Sequence, residues 1–161
     1  MQPSILGTRL AHWPDEAACA ASAAALAAHA ALADAFIELH GPLGAGKTTF
    51  ARHLLAALGV AGRVKSPTYT LMEPYRSDAA HGGFAIAHFD FYRFDDPQEW
   101  EDAGFREVFA DPGLKLVEWP EKAEALLPRC DLRLTIGVDD ESAARELRAE
   151  ALTARGAELL S

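Results

Sequence analysis

The stretch "GPLGAGKT", Gly41 to Thr48, constrains this chain more than any other. It satisfies the pattern G-x-x-x-x-G-K-[ST] at every position, and each position has a physical task. Gly41, Gly44 and Gly46 let the backbone take turns closed to other residues and approach a ligand closely. Successive N–H groups from Leu43, Gly44, Ala45, Gly46, Lys47, Thr48 and Thr49 can then point at one anion, and a helix starting near Gly46 adds its positive end. Lys47 reaches toward terminal phosphates. The Thr48 hydroxyl suits Mg²⁺ that the phosphates also coordinate. Context separates this loop from a chance glycine turn. "AFIELHG" before it reads as a short buried strand, Ala35 to Leu39. "KTTFARHLLAALG" after it spaces Phe50, Leu54, Leu55 and Leu58 for one helix face, with Gly59 as the stop.

The rest of the chain reads as one α/β domain, residues 1–161, without repeats or linkers. "WPDEAACAASAAALAAHAALAD" opens with Pro14, Asp15 and Glu16, which suit a helix start, and continues in alanine. "KSPTYTLMEPY" reads as a loop entering an extended segment, "RSDAAHGG" as a hairpin tip and "FAIAHFDFY" as a strand. "DPQEWEDAGFREVFADPG" is polar and helical or irregular. "LKLVEW" is another strand, "PEKAEALL" a short helix, and "DLRLTIGV" a strand with one wet face. "ARELRAEAL" fits a helix or a paired edge strand, with a short helix after it to Leu160.

A phosphate-binding loop that handles Mg²⁺ needs an acid at the end of another strand. Asp90 ends "FAIAHFD" and Glu118 ends "LKLVE", each after an apolar run. Both are expected near the metal, and the water-activating role stays open between them. "SPTYT" supplies hydroxyls at Ser66, Thr68 and Thr70 for a switch loop, and an ordinary loop into a strand explains it equally well. Trp119 reads by default as a core anchor, with an exposed stacking surface as the alternative. His40 and His53 flank the loop without metal-ligand spacing. Arg52, Arg63, Arg76 and Arg93 are all available to a γ-phosphate, and spacing marks none of them.

Composition limits the partners. The net charge of −9 argues against this chain gripping a nucleic-acid backbone by itself. The longest apolar stretch, Ala17 to Ala33, is alanine-rich and suits a soluble helix rather than a membrane span. No basic, Leu-rich leader opens the chain, so a cytoplasmic location is expected. Cys19 and Cys130 then read as small buried thiols rather than a disulfide.

"GPLGAGKTTF", "VKSPTYTLMEPY", "HFDFYR" and "LVEWPE" occur in this order. Together they resemble the TsaE (YjeE) family of P-loop ATPases in tRNA threonylcarbamoyladenosine biosynthesis. The resemblance implies a P-loop NTPase-like three-layer α/β sandwich, with a mainly parallel central sheet and an antiparallel addition. It implies ATP, with ADP as product, and Mg²⁺. Lys47, Asp90 and Glu118 are the implied catalytic residues. Thr48 and Glu118 are implied contacts of Mg²⁺, and Asp90 the Walker B acid. Ser66 to Thr70 correspond to a switch region. Glu16 and Arg145 mark the segments that flank the adenine. The implied partners are the TsaD and TsaB proteins, whose complex is reset between turnovers, with tRNA met only through them. Pro42 stands where many relatives carry an acid. Two other readings compete. A small P-loop kinase would need a basic lid, and the segment after Arg93 is the acidic "FDDPQEWED". A GTPase-like switch would need an Asn/Thr-Lys-x-Asp loop, which the sequence lacks.

Overall fold

A computed structural model describes residues 4–62, 64, 65, 67 and 70–161. Seven strands form one sheet: β1 Gly7–Trp13, β2 Phe36–His40, β3 Met72–Arg76, β4 Ala85–Asp90, β5 Leu114–Glu118, β6 Leu132–Val138 and β7 Arg145–Ala151. Their spatial order is β1-β7-β6-β2-β5-β4-β3. The four central strands, β6, β2, β5 and β4, run parallel. Antiparallel strands extend the sheet at both ends, β7 and β1 beyond β6, and β3 beyond β4. The helices are α1 Glu16–Ala27, α2 Lys47–Ala57, α3 Pro97–Ala103, α4 Phe105–Ala110 and α5 Ala154–Leu159. This is the expected three-layer sandwich, with antiparallel additions at both edges rather than one.

Two cores hold the layers. On one face, Phe50, Ala51, Leu54 and Leu55 of α2 bury against Ile37 and Leu39 of β2 and Leu114 and Leu116 of β5. Helix α1 packs beside α2 through Cys19, Ala23, Leu26 and Ala27, the i, i+4, i+7, i+8 positions of one helix face. Asp15 caps α1 by accepting from the Ala18 N–H at 3.0 Å. On the other face, α3 and α4 cover Phe89, Phe91 and Val117 with an aromatic cluster of Trp100 and Phe105, to which Phe109 adds its ring. Cys19 and Cys130 are both buried and free. Burial raises the Cys19 thiol to about 11, helped by the Glu16 charge.

Three local readings change. Gly7–Trp13 forms a strand, although the chain start gave no strand signal. "ARELRAEAL" resolves as strand β7, and β1 pairs on its outer side, so it is not an edge. "PEKAEALL" forms only a 3-10 turn, Pro120–Ala123, in place of a helix. Thr70 precedes β3, while Arg63, Ser66 and Thr68 lie outside the described residues.

Asp131 ties the parallel core to its antiparallel extension. Its carboxylate accepts from the Phe36 N–H of β2 at 2.7 Å and from the Thr153 hydroxyl at 2.7 Å. Thr153 in turn caps α5, its hydroxyl oxygen accepting from the Gly156 N–H. Truncation strands two donors. Asp131→Ala is expected to lower unfolding stability by about 2–3 kcal/mol, and Asp131→Asn by less, measured by urea titration.

Candidate functional site

The parallel register brings the chemistry to one edge. Asp90 and Glu118 are register partners at the ends of β4 and β5, and Leu39 of β2 lies opposite Glu118. The chain leaves β2 at His40 and turns through Gly41 to Gly46 into α2. A Cβ on Gly41 would sit 2.6 Å from the Ile136 carbonyl oxygen, so the loop packs on β6 only because that residue is glycine. Gly46 precedes α2 with φ at 109°, a left-handed turn that faces open space. The first-turn N–H groups of α2, from Lys47, Thr48 and Thr49, have no intrahelical acceptors. They open on a cleft of about 390 Å³ lined by residues 43–49 with Asp90, Tyr92, Arg93, Glu118 and Trp119.

Three buried charged side chains meet here: Lys47, Asp90 at 5 % exposure and Glu118 at 2 %. The Thr48 hydroxyl donates to Glu118 Oε1 at 2.7 Å. Glu118 Oε2 lies 2.7 Å from His88 Nε2. Asp90 accepts from the Tyr92 N–H at 2.9 Å. The Lys47 ammonium donates to the carbonyl oxygens of Gly41 and Pro42 and lies 3.8 Å over the centre of the Trp119 ring. Burial pushes the Lys47 ammonium below its usual pKa, against the opposing pull of Glu118, Glu121 and Asp90. A cation held this way gains from an anion brought to its cleft.

Trp119 lies between the two readings, packed against the aromatic core without being buried in it. It is half-buried, lines the cleft, and packs against Tyr92 at 4.9 Å between ring centres. Its φ of 56° is left-handed for a bulky residue, a strain the surrounding packing must hold. Of the four arginines considered, Arg93 lines the cleft, and Arg76 donates to the Gly83 carbonyl away from it. Glu16 and Arg145 lie outside that lining. Glu16 stands at the start of α1 and pairs with His53 of α2 at 3.0 Å. Arg145 Nε donates to the Ala45 carbonyl at 3.0 Å and so braces the glycine loop from β7. His40 pairs with Glu38 at 2.8 Å. His88 opens the "HFDFYR" block but was given no role of its own by the sequence. It is an alternate residue of an apolar strand, in the same period as Asp90.

The donor set fits Mg²⁺. Thr48, Asp90 and Glu118 offer hard oxygens, and the described residues contain no cluster of three or more His, Cys, Asp or Glu that could hold a metal alone. Mg²⁺ keeps several waters and shares phosphate oxygens, so it suits a site with few protein ligands.

A sequence model of the family described as "Threonylcarbamoyl adenosine biosynthesis protein TsaE" matches residues 13–147. The chain is 44% identical over 114 residues to the tRNA threonylcarbamoyladenosine biosynthesis protein TsaE of Haemophilus influenzae, covering 71% of this chain and 70% of that one. It is 40% identical over 107 residues to the protein of the same name from Bacillus subtilis, covering 65% and 64%. The crystal structure of Bacillus subtilis YdiB superposes with a TM-score of 0.76 at 27% identity, over 98% of this chain and 94% of that one.

Lys47 supplies the site's one buried ammonium among the described residues lining the cleft. Lys47→Ala is expected to weaken nucleoside triphosphate binding by about 10–100-fold, the worth of one charge-assisted hydrogen bond, read by calorimetric titration.

Proposed function

The chain belongs to the TsaE family, and from that premise we propose that it is a Mg²⁺-dependent ATPase that supports tRNA threonylcarbamoyladenosine modification. It binds ATP at the glycine loop and hydrolyses it slowly alone. Its cycle resets the TsaB–TsaD complex, and it meets tRNA only through those partners. The setting is the cytoplasm, and no helix among the described residues is long and apolar enough to cross a membrane.

The observation that carries this reading is the meeting of Lys47, Thr48, Asp90 and Glu118 around one helix N-terminus. The N–H groups of residues 44–49 bind and orient the phosphate chain. Lys47 leaves its carbonyl partners for the terminal phosphates, where its charge offsets the charge that builds up in transfer. Thr48 and Glu118 would hold Mg²⁺ with Asp90 behind them, and the ion would supply charge neutralisation on the phosphates. Asp90 and Glu118 are also the two carboxylates available to take a proton from, or orient, an attacking water. Glu16 and Arg145 stand at the glycine-loop edge of the sheet, where they would flank the adenine. Ser66 and Thr68 would contact the γ-phosphate as part of a switch loop.

The proposed slow intrinsic turnover requires that no arginine of this chain reach the γ-phosphate. Arg93 is the arginine among the described residues that lines the cleft, and Asp95 and Asp96 follow it in sequence. A partner that adds positive charge would raise the rate. The kinase reading loses ground for the same reason, because an acidic segment makes a poor phosphate lid.

Two measurements test this. ATP turnover should be slow for the protein alone and rise when the TsaB–TsaD pair from the same organism is added, with tRNA modification continuing past one round only when this chain and ATP are present. Turnover that ignores the pair, or a phosphorylated metabolite found among candidate acceptors, would favour the kinase instead. Asp90→Ala and Glu118→Ala should each lower kcat by about 100-fold while ATP binding changes by less than about tenfold. Normal turnover in both would remove them from the mechanism.

A further inference from the structure

His88 is fully buried, at 0 % exposure, in the middle of β4. It shares a face with Ile86 and Asp90, the face covered by α2, while Ala87 and Phe89 point to the aromatic core. Its register partner on β5 is Leu116, one pleat below Glu118. From there Nε2 lies 2.7 Å from Glu118 Oε2, while Thr48 donates to Oε1. Each oxygen of the carboxylate is thus met by one group from a different element, β4 and α2. The other ring nitrogen, Nδ1, is buried without a hydrogen-bond partner.

That unpaired nitrogen is informative. A leucine at position 88 would match its neighbours Ile86, Leu114 and Leu116 and remove the orphaned Nδ1, but it would take from the buried Glu118 Oε2 its His88 partner. The imidazole is worth that cost only through the contact it does make. Facing a carboxylate oxygen, Nε2 is the nitrogen that donates.

We propose that His88 is the positioning residue for Glu118. Its Nε2–H pins Oε2 and so turns Oε1 toward Thr48 before nucleotide arrives, presetting the oxygen pair that takes Mg²⁺. The inference rests on the ATP–Mg²⁺ reading of the cleft and deepens it. A glutamate has three side-chain torsions, and a freed Glu118 would lose that orientation. Groups that orient metal ligands from behind typically matter by about 10–100-fold in metal affinity.

The test compares two amides of equal chemistry and different reach. His88→Gln carries an N–H to about the position of Nε2, while the shorter His88→Asn places it near Nδ1. ADP affinity is measured with Mg²⁺ and with EDTA, and melting temperatures are recorded alongside. His88→Asn should lose about tenfold or more of the Mg²⁺ enhancement with its EDTA affinity unchanged, and His88→Gln should keep most of it. The proposal is overturned if both variants keep the wild-type enhancement, or if both affinities fall together in step with melting temperature. Should neither variant fold, the wild type with ¹⁵N-labelled histidine decides. Its His88 Nε2–H resonance should shift when Mg²⁺ is added to the ADP complex, and a resonance that stays put overturns the proposal. A wild type that binds no ADP, or binds it indifferently to Mg²⁺, defeats the ATPase reading itself and takes the role of His88 with it.

Discussion

The hydrogen bond from Thr48 to Glu118 joins the two halves of the site. One partner opens α2 and the other closes β5, so the bond exists only if the glycine loop and the parallel register are both correct. The loop depends on Gly41, where any Cβ would strike the backbone of β6. The register depends on β2, β5 and β4 running side by side in one direction, which leaves Asp90 and Glu118 level with the loop. Parallel strands buried on both faces are apolar throughout, so a polar side chain at their ends or among them stands out as a cost. Asp90, Glu118 and His88 are such costs on the strands, and with Lys47 of α2 they meet around one helix N-terminus.

The cleft is arranged for an incoming anion. Lys47 is desolvated, its ammonium shared between two backbone carbonyls and the face of Trp119. Neutral carbonyls and a ring face are weaker partners for an ammonium than phosphate oxygens. The left-handed backbone of Trp119 keeps its ring at the mouth of the cleft. Leu43 at 71 % exposure and Tyr92 stand beside it.

Much of this was legible in the sequence, for identifiable reasons. The glycine loop is read directly because its residue types are dictated by backbone geometry. Asp90 and Glu118 were visible because each ends an apolar run, and a charge at such a boundary lies at a strand end. The structure places both in the cleft. Strand β1 was hidden because Thr8, Arg9, Leu10 and His12 alternate without a buried stripe. An edge strand with one solvated face gives little periodic signal. Trp119 stayed between two readings because its placement depends on a backbone conformation that no propensity foretells. His88 opens "HFDFYR", yet its role was hidden, since a histidine inside "FAIAHFD" looks like an ordinary strand residue until Glu118 is set opposite it. Ser66 and Thr68 lie outside the described residues, so their expected role is carried by the sequence alone.

The most direct test of the central claim is a crystal structure of the protein with ADP and Mg²⁺. The β-phosphate should lie on the N–H groups of residues 44–49, with the Lys47 ammonium turned from the Gly41 and Pro42 carbonyls to the phosphate. Thr48 should coordinate the metal with Glu118 and Asp90 beside it. A nucleotide bound elsewhere, or one that leaves the Lys47–carbonyl contacts intact, would contradict it.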